Sequence, residues 1–203
     1  MDDARDSRNG ASGTVGRHIA AKLAAQKMPL RLLTRHPVTV ASPDAINTCT
    51  GHYGDAESLT SACAGVRTVF AVAIDPMHPD HDENLLNTAL ANGVQRIVKL
   101  SALSVTDPTA DVLITRWQRR NEEMIKASSL ACTLLRPREG IRSSGVDTGP
   151  DPDGRNACID PRDIAAVAVR VLTQPGYEGK TYGTHRSPSP ERWRTSPRAG
   201  RRG

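Results

Sequence analysis

The segment Asn9-Gly10-Ala11-Ser12-Gly13-Thr14-Val15-Gly16 sets three glycines at three-residue spacing directly before an amphipathic stretch. Val15, Ile19 and Leu23 follow at i, i+4 spacing and Pro29 lies just beyond, so the pattern predicts a helix over residues 14–28. Glycines without a Cβ allow a tight turn and close approach of backbone amides, and a helix N-terminus attracts an anion. A dinucleotide pyrophosphate needs all three. An ordinary loop before a helix carries the same glycines, so context has to decide. The cradle should follow a hydrophobic strand. Here Met1-Asp2-Asp3-Ala4-Arg5-Asp6-Ser7-Arg8-Asn9 precedes it. Each of those aspartates would cost several kcal/mol at the centre of a sheet. The first strand is therefore expected to be absent, or to form poorly at an edge.

Downstream, apolar runs alternate with amphipathic stretches. Strands are expected at residues 30–33, 66–74, 96–103 and 130–135, with weaker candidates at 46–50 and 176–182. The run 66–74 is continuously apolar, as in strands buried on both faces of a parallel sheet. Helices are expected at 56–64, 82–92, 115–128 and 160–172, with Gly65 and Gly93 as stops. In the second of these, Leu85, Leu86, Ala89 and Leu90 should face inward. Asp160 is a capping residue before Pro161, and Ile164, Val167, Ala168, Val171 and Leu172 form an apolar stripe. The alternation points to an α/β chain with a Rossmann-like, doubly wound parallel sheet, its first strand degenerate or missing. Residues 1–182 read as one domain with an irregular loop at 138–157, and residues 183–203 as a basic disordered tail.

Charge could suggest nucleic acid as a partner, since the net charge is +5. Residues 183–203 carry six arginines against Glu191 alone, which accounts for the whole excess, and residues 1–182 balance to zero. Basicity is thus a property of the tail. Aromatics make up 3% of the chain, too few for a base-stacking platform. Nucleic acid is not an expected partner, nor is a membrane, because no apolar stretch has spanning length and residues 1–9 are no signal peptide. Cys49, Cys63, Cys132 and Cys158 include no C-x-x-C pair, which suits reduced thiols in a cytoplasmic protein. Among His78, His81, Asp75, Asp80 and Asp82, the prolines at 76 and 79 favour a loop, so no metal is expected.

An NAD-preferring site places an acid at the end of the second strand, about 20 residues past the glycines. Leu33-Thr34-Arg35-His36 stands there instead. Arg35 can pair with a 2′-phosphate and Thr34 can donate to it, which favours NADP(H), with NADPH preferred over NADH; a solvated surface arginine is the alternative. Several segments together resemble the NmrA-like, NAD(P)H-binding group of atypical short-chain dehydrogenases/reductases. They are residues 10–16, 32–35, 66–70, Gly93-Val94-Gln95-Arg96-Ile97-Val98-Lys99-Leu100-Ser101, Thr133-Leu134-Leu135-Arg136-Pro137 and 159–165, in the family's order. The resemblance implies a cofactor site of Gly10, Ser12, Gly13, Thr14, Val15, Gly16, Thr34, Arg35 and Ala73. It also implies an active-site role for Ser101 and a small carbonyl or quinone-type substrate. His52 departs from the family, which usually has Asp there, and residues 138–157 are short and polar where the family builds a substrate pocket.

A Tyr-x-x-x-Lys pair is excluded. Ile114 and Gln118 occupy the corresponding positions, and Tyr53, Tyr177 and Tyr182 each lack a lysine four residues on. Ser101 is either a substrate hydrogen-bonding group or a strand-end serine satisfying backbone. Lys99 reads as a snorkelling edge lysine, and Glu122 and Glu123 as a solvated helical face. An NAD(P)H-dependent reductase is the first reading. A non-catalytic NADP(H) sensor that reports to a regulatory protein partner is the second, and a degenerate relative with impaired cofactor binding the third.

Overall fold

The structure, a computed structural model, describes residues 13–36, 46–72, 75–137, 159–184 and 193–195. Helix α1 (Gly16–Ala25) leads into β1 (Leu30–Thr34) and β2 (Ile46–Thr50), then α2 (Ala56–Cys63) and β3 (Thr68–Val72). Helix α3 (Asp80–Ala91) connects to β4 (Arg96–Leu100), and α4 (Leu113–Ala127) to β5 (Ala131–Arg136). Helix α5 (Pro161–Thr173), β6 (Lys180–Thr184) and a short β7 (Trp193–Thr195) follow. Strands β1 and β2 pair in parallel, as do β3, β4, β5 and β6 in that order; among the described strands only β7 is antiparallel.

The expected elements form, most with shifted ends. Asp160 caps α5 by accepting from the Arg162 N–H, and Pro161 opens the helix. Gly65 and Gly93 take positive φ values of 71° and 73°, which ends α2 and α3 in a conformation that suits glycine. The strand expected through residue 103 stops at Leu100, and a 3-10 turn occupies Leu103–Thr106. Leu90, expected inward, is partly exposed. The ambiguous 46–50 segment is a strand. Within the span expected to be a disordered tail, Gly183 and Thr184 complete β6, and Trp193–Thr195 pairs with it. The irregular loop expected at 138–157 lies outside the described residues.

Two apolar layers enclose the strands, because a parallel sheet must be covered on both faces. On one face α1 and α5 pack Ile19, Leu23, Ile164 and Ala168 against Val98, Leu100 and Leu135. On the other, Leu59, Leu85, Ala89 and Ile125 from α2, α3 and α4 meet Ala71 and Ile97. The strands' alternation supplies both layers: Val98 and Leu100 point one way, Ile97 the other.

Among the described residues the sheet is divided. Strand β1 pairs only with β2, and β3 only with β4. Leu30 and Leu32 on one side, and Val69 and Phe70 on the other, line a cavity of about 1210 Å³ with Ile19 and Leu59. The division falls where a first strand would run in a doubly wound sheet. Met1–Asn9, the residues expected not to supply that strand, lie outside the described set. Both facing edges are parallel strands with apolar flanks, so they suit an apolar segment. The triple replacement Asp3→Val, Asp6→Val and Arg8→Val should therefore raise the thermal midpoint, by about 2–4 °C for each kcal/mol of added burial. A thermal melt followed by circular dichroism checks this, and an unchanged or lower midpoint counts against the cleft as a strand slot.

Candidate dinucleotide site and the buried network beside it

Parallel strands place their carboxyl ends along one edge, and ligands bind there in such sheets. Gly13 and Gly16 are buried at the entry to α1, with Val15 as its flanking residue. The Arg17 N–H reaches the Gly13 carbonyl at 3.1 Å, and the Ile19 N–H reaches Val15 at 3.2 Å. Among the described residues no side chain caps the helix, and its first turn holds no acid. The initial amides and the positive end of the helix dipole thus suit an anionic group. Thr14 is half-buried beside them. Gly10, Ser12 and Ala73 lie outside the described residues.

At the end of β1, Thr34 is buried and donates its hydroxyl proton to the His36 carbonyl at 2.7 Å. Its own carbonyl accepts from the Gly51 N–H at 2.8 Å, which joins β1 to the loop after β2. Arg35 follows and is exposed. No acidic residue occupies this strand end. In the neighbouring loop His52 is exposed, and its Nδ1 accepts from the Gly54 N–H at 3.1 Å.

Ser101 comes directly after β4 and is buried. Its N–H donates to the Leu135 carbonyl at 2.7 Å, and its hydroxyl donates to Glu122 Oε1 at 2.7 Å. Glu122 corrects the sequence expectation: it is 2% exposed, not solvated. Helix α4 turns Thr115, Gln118, Glu122 and Ile125 toward the sheet, and the carboxylate there is held from three sides. Arg136 donates to it through Nε at 2.7 Å and also through Nη2, while Lys126 Nζ lies at 3.0 Å. Burial raises the energy of the charged form, yet the Arg136 and Ser101 hydrogen bonds outweigh it and hold the carboxyl below its usual range. Glu123, by contrast, is exposed as expected.

Lys99 is the second correction. It is fully buried, because β4 lies between two strands and α3 and α4 close over its face. Its Nζ pairs with Asp82 Oδ1 of α3 at 3.5 Å and stands 5.9 Å from the Trp117 ring centroid. Asp82 Oδ2 accepts from Asn121 Nδ2 at 2.7 Å. Burial pushes the Lys99 ammonium down, and the Asp82 charge opposes that. Trp117 Nε1 and Gln118 Oε1 are also buried without a hydrogen-bond partner among the described residues.

Sequence reasoning missed Asp82, Asn121, Glu122 and Arg136 as members of this network. A signal existed: Gln118, Asn121 and Glu122 share the helical face of Trp117 and Ile125, where apolar residues belong. At the positions that correspond to a tyrosine–lysine pair, Ile114 is exposed and Gln118 buried. Neither performs acid–base chemistry. With its proton on an ionised carboxylate, Ser101 presents an acceptor. To donate to a substrate carbonyl, the hydroxyl has to rotate away from Glu122. Cys49, Cys63 and Cys132 are free thiols, and among the described residues no helix is long and apolar enough to cross a membrane.

A parallel sheet covered on both faces, with a glycine turn and an uncapped helix at its carboxyl edge, defines a Rossmann-type nucleotide-binding protein. Residues 10–175 match the sequence model of a family described as NAD(P)H-binding, and the chain belongs to that family. It is 43% identical over 185 residues to the (4-alkanoyl-5-oxo-2,5-dihydrofuran-3-yl)methyl phosphate reductase of Streptomyces griseus, covering 85% of this chain and 64% of that protein. It is 31% identical to an NAD(P)H azoreductase of Xenophilus azovorans, covering 85% and 65%. The crystal structure of an NADPH-dependent quinone oxidoreductase from Escherichia coli, complexed with NADPH, superposes with a TM-score of 0.71 at 28% identity, covering 85% of this chain and 66% of that one. The NAD(P)H-binding family that the resemblance implies is upheld. The chain spans a little under two thirds of the length of these curated relatives.

Two outcomes follow for the buried charges. Glu122→Gln removes a carboxylate from a paired, buried position and should cost about 3–5 kcal/mol at pH 7. Because the folded carboxyl titrates below its ordinary value of 4.5, its contribution is complete above that value and is lost as pH falls through the lower folded one. Urea denaturation should show the gap between wild type and variant narrowing below pH 4.5, and a pH-independent gap would refute the assignment. Lys99→Met strands the Asp82 charge and should cost a similar amount, about 3–5 kcal/mol. Adding Asp82→Leu should recover most of it. If the double variant is as unstable as Lys99→Met alone, the ion pair is not the source of the loss.

Proposed function

We propose that the chain binds NADP(H) in preference to NAD(H) and acts as a reductase of a small carbonyl or quinone-type substrate. The observation that carries this reading is the strand-end pair Thr34-Arg35, without an acid, beside the uncapped N-terminus of α1. Gly10, Ser12, Gly13, Thr14, Val15 and Gly16 would hold the pyrophosphate on backbone amides. Arg35 would meet the 2′-phosphate, because a guanidinium pairs with phosphate oxygens in a forked geometry. The Thr34 hydroxyl donates to the His36 carbonyl, and the role of discriminating the 2′-phosphate is given to Arg35 for its charge. Ala73, after β3, would flank the cofactor. The names of the relatives support a small-molecule substrate: a furanyl-methyl phosphate, azo compounds and quinones are what reductases of this kind are named for.

When bound, the nicotinamide supplies the hydride. The chain's own part is to orient and to exclude water. Ser101 sits at the end of β4, beyond which a substrate would lie, and Glu122 with Arg136 fixes its rotamer. No described tyrosine–lysine pair delivers a proton. The second reading, a non-catalytic NADP(H) sensor that acts on a regulatory protein partner, is favoured by that same commitment of the Ser101 proton to Glu122.

Isothermal titration with NADPH and NADH tests the binding. NADPH should bind more tightly, and Arg35→Ala should bring the ratio of the two affinities close to one. Failure of both cofactors at millimolar concentration overturns the reading, and an unchanged ratio in Arg35→Ala removes the role given to that residue. Oxidation of NADPH in the presence of a quinone panel then separates reductase from sensor.

A further inference from the structure

We propose that His78, Asp80 and His81 form a binding site for one divalent transition-metal ion. The sequence expectation was a simple loop, because Pro76 and Pro79 interrupt the cluster. The loop is there, but it folds back on the start of α3. The His81 N–H donates to the His78 carbonyl at 3.1 Å, closing a turn that brings the two imidazoles together. Their rings stack, with centroids 4.9 Å apart and planes 14° from parallel. One donor atom from each of His78, Asp80 and His81 lies within 4.8 Å of the other two.

The donor set names the ion class. Two imidazole nitrogens and one carboxylate oxygen suit zinc, cobalt, nickel or copper, whereas magnesium and calcium take oxygen ligands. Tetrahedral bonds of about 2.0–2.1 Å space the donors by about 3.3 Å, so the side chains must close by up to roughly 1.5 Å. His78 and Asp80 are exposed and His81 half-buried, which leaves them free to do so.

The surroundings also favour a metal. Asp75 Oδ2 lies 4.0 Å from His78 Nε2. Asp75 is itself fixed, because its Oδ1 accepts from the Met77 N–H at 2.9 Å. At that distance the carboxylate adds negative charge beside His78, which favours a cation there. On the far side, Gly54 leaves room for the second ring: a Cβ there would stand 2.8 Å from His81 Nε2. Three protein donors leave a fourth position for water or an exogenous ligand. Bound metal would tie the loop after β3 to the first turn of α3. The site shares no residue with the proposed dinucleotide site, so the two stand or fall separately.

Cobalt(II) titration of the full, tag-free chain tests this through its visible d–d absorption, with zinc as the competitor. One equivalent should bind and be displaced by zinc. His78→Ala and His81→Ala should each abolish the band, and Asp80→Asn should weaken binding at least tenfold. All three should keep the wild-type circular dichroism spectrum. Zinc should also raise the thermal midpoint of the wild type but not that of His81→Ala. The proposal fails if no saturable band develops, if both histidine variants bind as the wild type does, or if a sulfur-to-cobalt charge-transfer band shows the ion on cysteines.

Discussion

Parallel pairing is the constraint from which the rest of this molecule follows. Strands that all run one way need crossover connections, and the crossovers lay helices on both faces of the sheet. Both faces must then be apolar, which accounts for the two core layers around Val98 and Ile97. It also gathers the carboxyl ends of the parallel strands on one edge. Thr34, Ser101 and Arg136 stand at that edge although they are far apart in sequence. The glycine turn adds amides and a positive helix end. Chemistry at this edge is therefore a consequence of pairing direction more than of any single residue.

The same burial makes the ionic residues on the α3–α4 face informative. Lys99, Asp82 and Glu122 occupy places where an uncompensated charge would cost several kcal/mol. Each is tolerated because a partner of opposite sign is within 3.5 Å. Asn121 and Ser101 then supply hydrogen bonds to Asp82 and Glu122. The result couples α3 to β4 and α4 to β5 by directional contacts. It also fixes the hydroxyl of Ser101, which decides whether that residue donates or accepts.

Much of the fold was legible because periodicity is local. The stripe of Ile164, Ala168 and Val171, the Asp160 cap and the glycine stops need only neighbouring residues to be read, and they form as expected. Lys99 and Glu122 were misread for a complementary reason. A charged side chain on a strand or helix looks solvated until its partner is known, and the partners Asp82 and Arg136 come from other elements. The histidine cluster shows the same limit, since the stacking of His78 on His81 depends on how the loop enters α3.

By itself the sequence determined the element order, the two-faced apolar pattern, the glycine turn, the absence of an acid after β1 and the polarity of residues 1–9. These depend on residue type and spacing, which carry short-range physics. Tertiary structure alone decided that β1 and β3 face each other across an apolar cleft, that three charged side chains are paired inside the core, and that Ser101 gives its proton to Glu122. Those outcomes depend on which distant groups meet in a medium of low dielectric. There the cost of leaving a charge or a hydrogen-bonding group unpaired exceeds any local preference.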